Sequence, residues 1–299
     1  MTALSSISAE QHVLIAGPTA SGKSGLALEI AESQGGVIVN ADALQIYDNW
    51  QILSARPSAA DEARARHLLY GHLPGDQTYS VGQWLRDVAP ILDGNRAIIV
   101  GGTGLYFSAL TEGLADIPAT PDNIRQKAND IIAAEGFEML RNALDFETLA
   151  RIDEQNPMRV QRAWEVLQAT GKPIWQWQDD TPPPLLSLDD CVPIMVDAPK
   201  DWLTPRIEQR FDLMIAEGAL DEARANLPTW SRDAPSSKTI GALELIQHVS
   251  GELSLDRARE LITIATRQYA KRQRTYLKKR MKHWNILDPI SERIGKRAF

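Results

Sequence analysis

Residues 17 to 24 carry the clearest chemistry in the chain. They read Gly17-Pro18-Thr19-Ala20-Ser21-Gly22-Lys23-Ser24, which is the G-x-x-x-x-G-K-[ST] pattern of a phosphate-binding loop. An apolar run at 13–16 precedes this phosphate loop and a helical stretch at 26–31 follows it, which is the strand–loop–helix context of the motif. In such a loop, backbone N–H groups and the lysine meet phosphate oxygens, while the serine hydroxyl binds Mg²⁺. The pattern leaves open which phosphates are bound.

Asp42 stands just after a second apolar run, residues 37–39. Ligands of parallel sheets lie at the carboxyl ends of the strands, so we expect Asp42 beside the phosphate loop. A carboxylate there can hold Mg²⁺ through water or act as a general base, and Gln45 is able to read the edge of a base. The alternative for Asp42 is a cap or turn residue after a strand.

A third apolar run, residues 97–100, leads into Gly101-Gly102-Thr103-Gly104. Glycines allow the backbone to approach a ligand closely, and the Thr103 hydroxyl can donate to an oxygen of a leaving group. The alternative is a tight turn in which Thr103 caps the next helix.

These three loops need a scaffold that brings them together. Short apolar strands alternating with helices predict an α/β fold with a parallel sheet covered on both faces. After 116–121 only helical periodicity appears, until a strand-like segment returns at 192–196. We therefore predict a core like that of P-loop NTPases from residues 1–119 and 186–299, and a helical insertion at 120–185. A long helix is expected at about 256–282.

The bulk composition narrows the class of protein. With a single cysteine, Cys191, an internal disulfide is impossible, and we expect a monomer in the reducing cytosol. No run approaches the ~18 apolar residues of a membrane span, and residues 1–6 do not resemble a signal peptide. The five histidines are too scattered to predict a zinc site.

The net charge of −7 argues against a nucleic-acid partner, but one segment is strongly basic. Between residues 267 and 282 there is no acidic residue. A local basic face is what a phosphate backbone meets, whatever the net charge. The alternative is a solvated helix face. The basic residues are Arg267, Lys271, Arg272, Arg274, Lys278, Lys279, Arg280 and Lys282.

Taken together, the blocks at 17–24, 42–47 and 101–107 resemble the tRNA dimethylallyltransferases, also called tRNA isopentenyltransferases. Blocks at 156–163, 206–211 and 266–273 resemble later motifs of the same family. The similarity follows the family order over nearly the whole chain. Two departures stand out: Ala43 replaces a serine, and Ala242-Leu243 replaces a tyrosine–basic pair.

The resemblance implies transfer of a dimethylallyl group from dimethylallyl diphosphate to the exocyclic amine of the adenosine immediately 3′ of the anticodon in tRNA. It implies that Asp42 accepts the amine proton, and that Lys23 and Thr103 stabilise the departing diphosphate. The phosphate loop would hold diphosphate rather than ATP, with Mg²⁺ on Ser24. The target base would be flipped into the crevice.

The resemblance also implies the binding residues. Diphosphate would be bound by residues 17–24 and by Arg56. Contacts with tRNA are implied for Asp42, Ala43, Leu44, Gln45, Arg125, Met158, Arg159, Val160, Gln161, Arg162, Lys271 and Arg272.

Two other classes of function stay open on the residues alone. A P-loop kinase for a small metabolite would use Asp42 as a base but would not need the basic segment. A nucleotide-dependent RNA-binding protein without transferase activity would not need Asp42 at the crevice.

Overall fold

The computed structural model describes residues 7–291, so residues 1–6, where no signal peptide is expected, lie outside the described residues. Within residues 7–291 six strands form one sheet in the order β3-β2-β4-β1-β5-β6, and every pairing is parallel. The predicted α/β fold is therefore confirmed. The strands are β1 His12–Ala16, β2 Val37–Asn40, β3 His67–Leu68, β4 Ala97–Gly101, β5 Cys191–Val196 and β6 Asn285–Leu287.

The α-helices of the described region, in chain order, are α1 Lys23–Gln34, α2 Ala59–Arg64, α3 Val81–Gly94, α4 Gly104–Glu112, α5 Asp122–Glu135, α6 Glu138–Asn142, α7 Phe146–Arg151, α8 Pro157–Thr170, α9 Ile174–Asp179, α10 Lys200–Ala216, α11 Ala219–Asn226, α12 Ala242–Val249 and α13 Leu255–Arg280. Short 3₁₀ turns lie at Leu188–Asp190, Leu227–Thr229 and Pro235–Lys238. Among the helices of residues 7–291, none is both long and apolar enough to cross a membrane.

Both faces of the sheet are buried, as the uninterrupted apolar strands predicted. Successive side chains of a strand point to opposite faces. Leu14 on β1 packs in a cluster with Trp84 of α3 and Phe107 of α4. Its neighbour Ile15 packs in a second cluster that contains Leu26 of α1. Helices thus cover the sheet on its two sides and leave the carboxyl ends of the strands as the place for a ligand.

The described residues divide into two compact units, one formed by 7–111 with 185–291 and the other by 112–184. All strands of the described region belong to the first unit. The second unit consists of α5 to α9 around a core that includes Leu140, Val160 and Trp164. The boundary predicted at residue 120 lies within the loop before α5.

Local signals located two helix ends that the sequence predicted. Ser80 begins α3 through a capping box with Gln83, and Gly171 ends α8 in a left-handed conformation with φ 68°. The long C-terminal helix ends at Arg280 rather than at residue 282. Strands β3 and β6, of two and three residues, were not predicted because so few residues carry no readable alternation.

Candidate active site

Three loops meet at the carboxyl ends of β1, β2 and β4, which are neighbours in the sheet. The Gly17 N–H donates to the Gly101 carbonyl at 3.2 Å, and the Thr103 N–H donates to the Ala41 carbonyl at 3.2 Å. A Cβ on Gly101 would lie 2.0 Å from the Ala41 oxygen, so only glycine fits there. The predicted convergence of the three loops is confirmed.

The phosphate loop turns sharply into α1. Ala20 and Gly22 have φ values of 62° and 85°, and the helix begins at Lys23. The first turn of a helix has unpaired N–H groups and the positive end of the helix dipole, which together attract anions. The Ser21 hydroxyl is buried and has no hydrogen-bond partner within residues 7–291. The loop thus carries the donors that a phosphate group requires.

A cavity opens at this edge of the sheet, and its lining is chemically mixed. Charged and polar side chains come from the phosphate loop, from Asp42 and from Arg210. The cavity also has an apolar lining, which no phosphate group would need. The apolar residues are Leu44, Leu53, Ala55, Ile207, Phe211, Met214, Ile240 and Ile262. Such a cavity fits a ligand with a phosphorylated end and a short hydrocarbon chain.

Lys23 is a cation of the cavity whose pKa is strongly lowered. Burial lowers the pKa of Lys23 to about 8, Asp42 acts against this by raising it, and Arg210 lowers it further. Without a bound anion the ammonium is therefore poorly stabilised. An anion placed beside Lys23 would restore its charge, so the site is suited to an anionic ligand.

Arg210 on α10 was not predicted as a site residue, although it lies in the 206–211 block. Its side chain lines the cavity with Lys23, and burial lowers its pKa. A guanidinium remains charged at any physiological pH and can bind two phosphate oxygens at once. Only the fold reveals this second cation, because α10 follows the insertion in the chain.

Asp42 is 8% exposed and firmly oriented. Its Oδ1 accepts the Leu44 N–H at 3.0 Å, and the Asn40 side chain binds both the N–H and the carbonyl of Asp42. A Cβ on Gly102 would lie 3.3 Å from the second carboxylate oxygen. The turn role and the general-base role are thus compatible, since one oxygen shapes the loop.

Thr103 joins two of the converging loops. Its Oγ1 accepts the Ala43 N–H at 3.0 Å, and the buried Tyr269 hydroxyl contacts it from α13. Burial raises the pKa of Tyr269, and Asp42 raises it further, so this hydroxyl keeps its proton. Thr103 does not itself line the cavity. Its action on a leaving group stays a prediction.

Gln273 of α13 is a second residue that the sequence alone did not single out. Its Oε1 accepts the Thr19 N–H at 2.8 Å, and its Nε2 donates to the Gly102 carbonyl at 3.1 Å. The side chain is buried. It therefore ties the phosphate loop and the Gly102 loop to the basic C-terminal helix.

Arg56 makes its contacts on the loop after β2. It is not part of the cavity lining, its Nη1 donates to the Tyr47 carbonyl at 2.8 Å, and the acids nearest its charge are Glu222, Asp48 and Glu62. These contacts organise that loop, and the binding of diphosphate by Arg56 stays a prediction. Gln45 lines the cavity, but its Nε2 donates to the Ser54 and Ala55 carbonyls, so only its oxygen is left to accept from a base.

The predicted tRNA contacts of the second unit separate into two groups. Met158 is 76% exposed and Arg159 is exposed beside it at the start of α8. The implied tRNA contact of Val160 stays a prediction, but its side chain is 0% exposed and packs in the core. The α8 register requires this, because Val160 lies on the buried stripe of the helix.

The remaining polar residues of this region gather around Glu165, which is buried. Arg125 lies 3.7 Å from Glu165, the Gln161 amide donates to it at 3.0 Å, and Arg162 binds the Thr120 hydroxyl beside it. Arg125, Gln161 and Arg162 are therefore held in place before any partner binds.

On α13, Lys271 and Arg272 are exposed. Other basic residues of the segment are balanced by acids from elsewhere in the chain. Lys278 lies 2.8 Å from Asp197, and Arg267 lies 3.7 Å from Glu208. The basic segment is thus less uniformly positive in the fold than in the sequence.

Comparison with known proteins agrees with this geometry. A family model described as IPP transferase matches residues 45–280, and one described as isopentenyl transferase matches residues 10–70. A relative from Ruegeria sp. named tRNA dimethylallyltransferase is 59% identical over 290 residues, covering 97% of this chain and 99% of its own. One of the same name from Dinoroseobacter shibae is 58% identical, with 96% and 98% covered.

A solved structure with the same architecture is the full-length tRNA isopentenylpyrophosphate transferase from Bacillus halodurans. It is 29% identical, covers 93% of this chain and 90% of its own, and superposes with a TM-score of 0.64. The matched family model spans more than half of the chain, and the similarity inferred from the sequence blocks is confirmed. The chain belongs to the IPP transferase family, the family of the tRNA dimethylallyltransferases.

Proposed function

We propose that this chain transfers a dimethylallyl group from dimethylallyl diphosphate to the exocyclic N6 amine of the adenosine immediately 3′ of the anticodon in tRNA. The observation that supports this proposal best is the mixed lining of the cavity. Lys23 and Arg210 suit a diphosphate, and the apolar residues suit a five-carbon chain. Neither a metabolite kinase nor a non-catalytic RNA-binding protein would need both.

In the proposed reaction the adenine N6 attacks the allylic carbon that bears the diphosphate. The new bond is N6–C, the bond that breaks is C–O, and the electron pair leaves with the diphosphate oxygen. Because the N6 lone pair is delocalised into the ring, the amine is a weak nucleophile. Asp42 takes the proton that N6 loses, which removes positive charge as it develops in the transition state.

The phosphate loop, Lys23 and Arg210 stabilise the negative charge that develops on the departing diphosphate. Lys23 becomes fully charged next to the diphosphate, because the anion offsets the desolvation that lowers its pKa. Thr103 holds the Ala43 backbone and thereby the segment that carries Asp42. Asp42, Lys23 and the loops are thus in position before the substrates bind.

The residues also fit the proposed Mg²⁺. Ser24 is an exposed hydroxyl in the first turn of α1, and hydroxyl and phosphate oxygens are the hard ligands that Mg²⁺ prefers. When bound, Mg²⁺ would offset negative charge on the diphosphate.

The proposed acceptor is tRNA, bound in part by the exposed Arg159, Lys271 and Arg272. Cations of this kind neutralise phosphates without reading sequence. We propose that the chain acts in the cytoplasm, where its proposed acceptor tRNA is used, and that it acts as a monomer.

The proposal is tested by weighing nucleosides. The protein is incubated with Mg²⁺, unmodified tRNA whose anticodon is followed by adenosine, and either dimethylallyl diphosphate or ATP. We expect a dimethylallyl mass gain on one adenosine with the first donor and no phosphorylated product with ATP. Guanosine at that position should abolish the product, since guanine has a carbonyl where adenine has its amine. A phosphorylated small molecule without tRNA modification would establish the kinase instead.

A further inference from the structure

The hydroxyl of Thr239 is a buried polar group of the cavity that has no hydrogen-bond partner within residues 7–291. Thr239 is 4% exposed and stands just before α12. Its backbone is satisfied, since its N–H donates to Ser236 and its carbonyl accepts from Ala242, both at 3.0 Å. Buried hydroxyls are normally paired, so an unpaired one in a ligand cavity indicates a partner on the ligand.

Two other threonine hydroxyls that line the cavity are already engaged within the protein. Thr263 donates to the Arg259 carbonyl and Thr266 to the Ile262 carbonyl, each at 2.7 Å. Threonines inside a helix commonly bond the carbonyl four residues earlier in this way. Thr239 lies outside α12, so it has no such carbonyl to bind. Its hydroxyl is therefore available to a substrate in a way that those of Thr263 and Thr266 are not.

The chemistry of the substrates decides which of them would use this hydroxyl, and this step rests on the proposed function. A dimethylallyl chain has no polar atom. The diphosphate is matched by the cations of the cavity, to which a neutral hydroxyl adds little. The adenine, by contrast, has ring nitrogens that can only accept. We propose that the Thr239 hydroxyl donates a hydrogen bond to a ring nitrogen of the target adenine and so helps to select it.

The variants that test this are Thr239→Val, which keeps the shape and removes the hydroxyl, and Thr239→Ser, which keeps the hydroxyl. Single-turnover rates and kcat/KM are measured on an anticodon stem-loop RNA with adenosine at the target position. We expect Thr239→Val to lower kcat/KM for the RNA by about 10-fold, the value of one hydrogen bond of roughly 1.4 kcal/mol. The KM of Thr239→Val for dimethylallyl diphosphate should equal that of the wild type. Thr239→Ser should have nearly the wild-type kcat/KM for the RNA, because it keeps the hydroxyl.

If Thr239 had only a structural role, the valine variant would not lower kcat/KM for the RNA while leaving the KM for dimethylallyl diphosphate unchanged. The melting temperature of the variant distinguishes the two roles further. Removing an unpaired buried hydroxyl should leave the melting temperature unchanged or raise it. A valine variant that melts earlier and has a raised KM for both substrates would overturn the proposal. So would a valine variant as active as the wild type.

The ring nitrogen is identified with RNAs that carry 1-deaza-, 3-deaza- or 7-deazaadenosine at the target position. For the nitrogen that Thr239 contacts, the deaza RNA should slow the wild type and slow Thr239→Val no further. If all three analogues slow both proteins equally, the hydroxyl does not bind the base and the proposal fails. If the wild type modifies no adenosine at all, the proposed function fails first, and the two failures are therefore distinguishable.

Discussion

The side-chain oxygen of Gln273 accepts a hydrogen bond from the backbone N–H of Thr19 at 2.8 Å, across a separation of 254 residues. The same side chain donates to the Gly102 carbonyl at 3.1 Å. The helix that carries the exposed Lys271 and Arg272 is therefore hydrogen-bonded to the phosphate loop through one buried amide. A tRNA backbone bound to α13 would therefore contact the helix that positions the phosphate loop and the Gly102 loop.

Replacing Gln273 by Glu should raise the KM for dimethylallyl diphosphate by about 10-fold or more. The carboxylate would still accept from Thr19, but it would oppose the Gly102 carbonyl and place a negative charge beside the diphosphate site. Steady-state kinetics with saturating tRNA measures the effect. The matched control is Gln268→Glu on the exposed face of the same helix. If the two variants had the same KM for dimethylallyl diphosphate, a positioning role for Gln273 would be contradicted.

Asp42→Asn should reduce turnover by ~10²–10⁴-fold, the usual loss for a general base. The amide keeps an oxygen for the Leu44 N–H, so the loop and the affinity for tRNA should be preserved. Single-turnover rates and a tRNA binding assay give the two readouts. Asp48→Asn, at an exposed acid six residues later, controls for the loss of one negative charge. If Asp42→Asn had near-normal turnover, Asp42 would not be the general base.

Diphosphate affinity should fall as the pH rises through about 8. The pKa of Lys23 is lowered to about 8, so the free protein has a charged Lys23 below this pH and a neutral one above it. Binding to a diphosphate then requires uptake of one proton, which weakens affinity by up to about 10-fold per pH unit. The ligand is the unreactive thio analogue of dimethylallyl diphosphate, already ionised at pH 7 because phosphate titrates near pH ~6.

Two variants complete this pH experiment. Lys23→Arg keeps a permanent positive charge. Its affinity for the thio analogue should therefore change little between about pH 7 and about pH 9. Lys23→Met should bind weakly at every pH in the same range. A wild-type affinity that does not change over this window would show that Lys23 of the free protein does not lose its proton near pH 8.

Thr103→Ala should slow the chemical step by about 10-fold or more with little change in tRNA affinity. The variant loses the acceptor of the Ala43 N–H and the hydroxyl contact with Tyr269. Thr103→Ser, which keeps the hydroxyl, should recover most of the rate. If the single-turnover rate of Thr103→Ala equals that of the wild type, Thr103 serves only as a turn residue.

Affinity for tRNA should decrease steeply with salt, because phosphate contacts release counterions. Replacing both Lys271 and Arg272 with Ala should reduce the slope of log affinity against log salt by about 1 for each lost phosphate contact. Lys278→Ala is the matched control, since Lys278 already lies 2.8 Å from Asp197. An unaltered slope in the double variant would place the tRNA backbone elsewhere.

By itself the sequence determined features that depend on a few adjacent residues. The phosphate loop, the Ser80 cap and the glycines after β4 depend on patterns of four to eight adjacent residues, and each lies where those patterns predicted. The α/β class followed from the same kind of signal, because buried parallel strands are uniformly apolar. Asp42 and the phosphate loop could be placed on one crevice since both follow such strands.

Only the tertiary structure decided which distant residues complete the cavity. Arg210, Thr239 and Gln273 come from segments far along the chain. The blocks that contain Arg210 and Gln273 resemble family motifs, but they do not indicate which of their side chains reach the site. The structure alone also showed that Arg56 contacts the Tyr47 carbonyl and that Val160 lies in a core. Burial and pairing are properties of packed elements, and residue type alone does not specify which side chains will share a cavity.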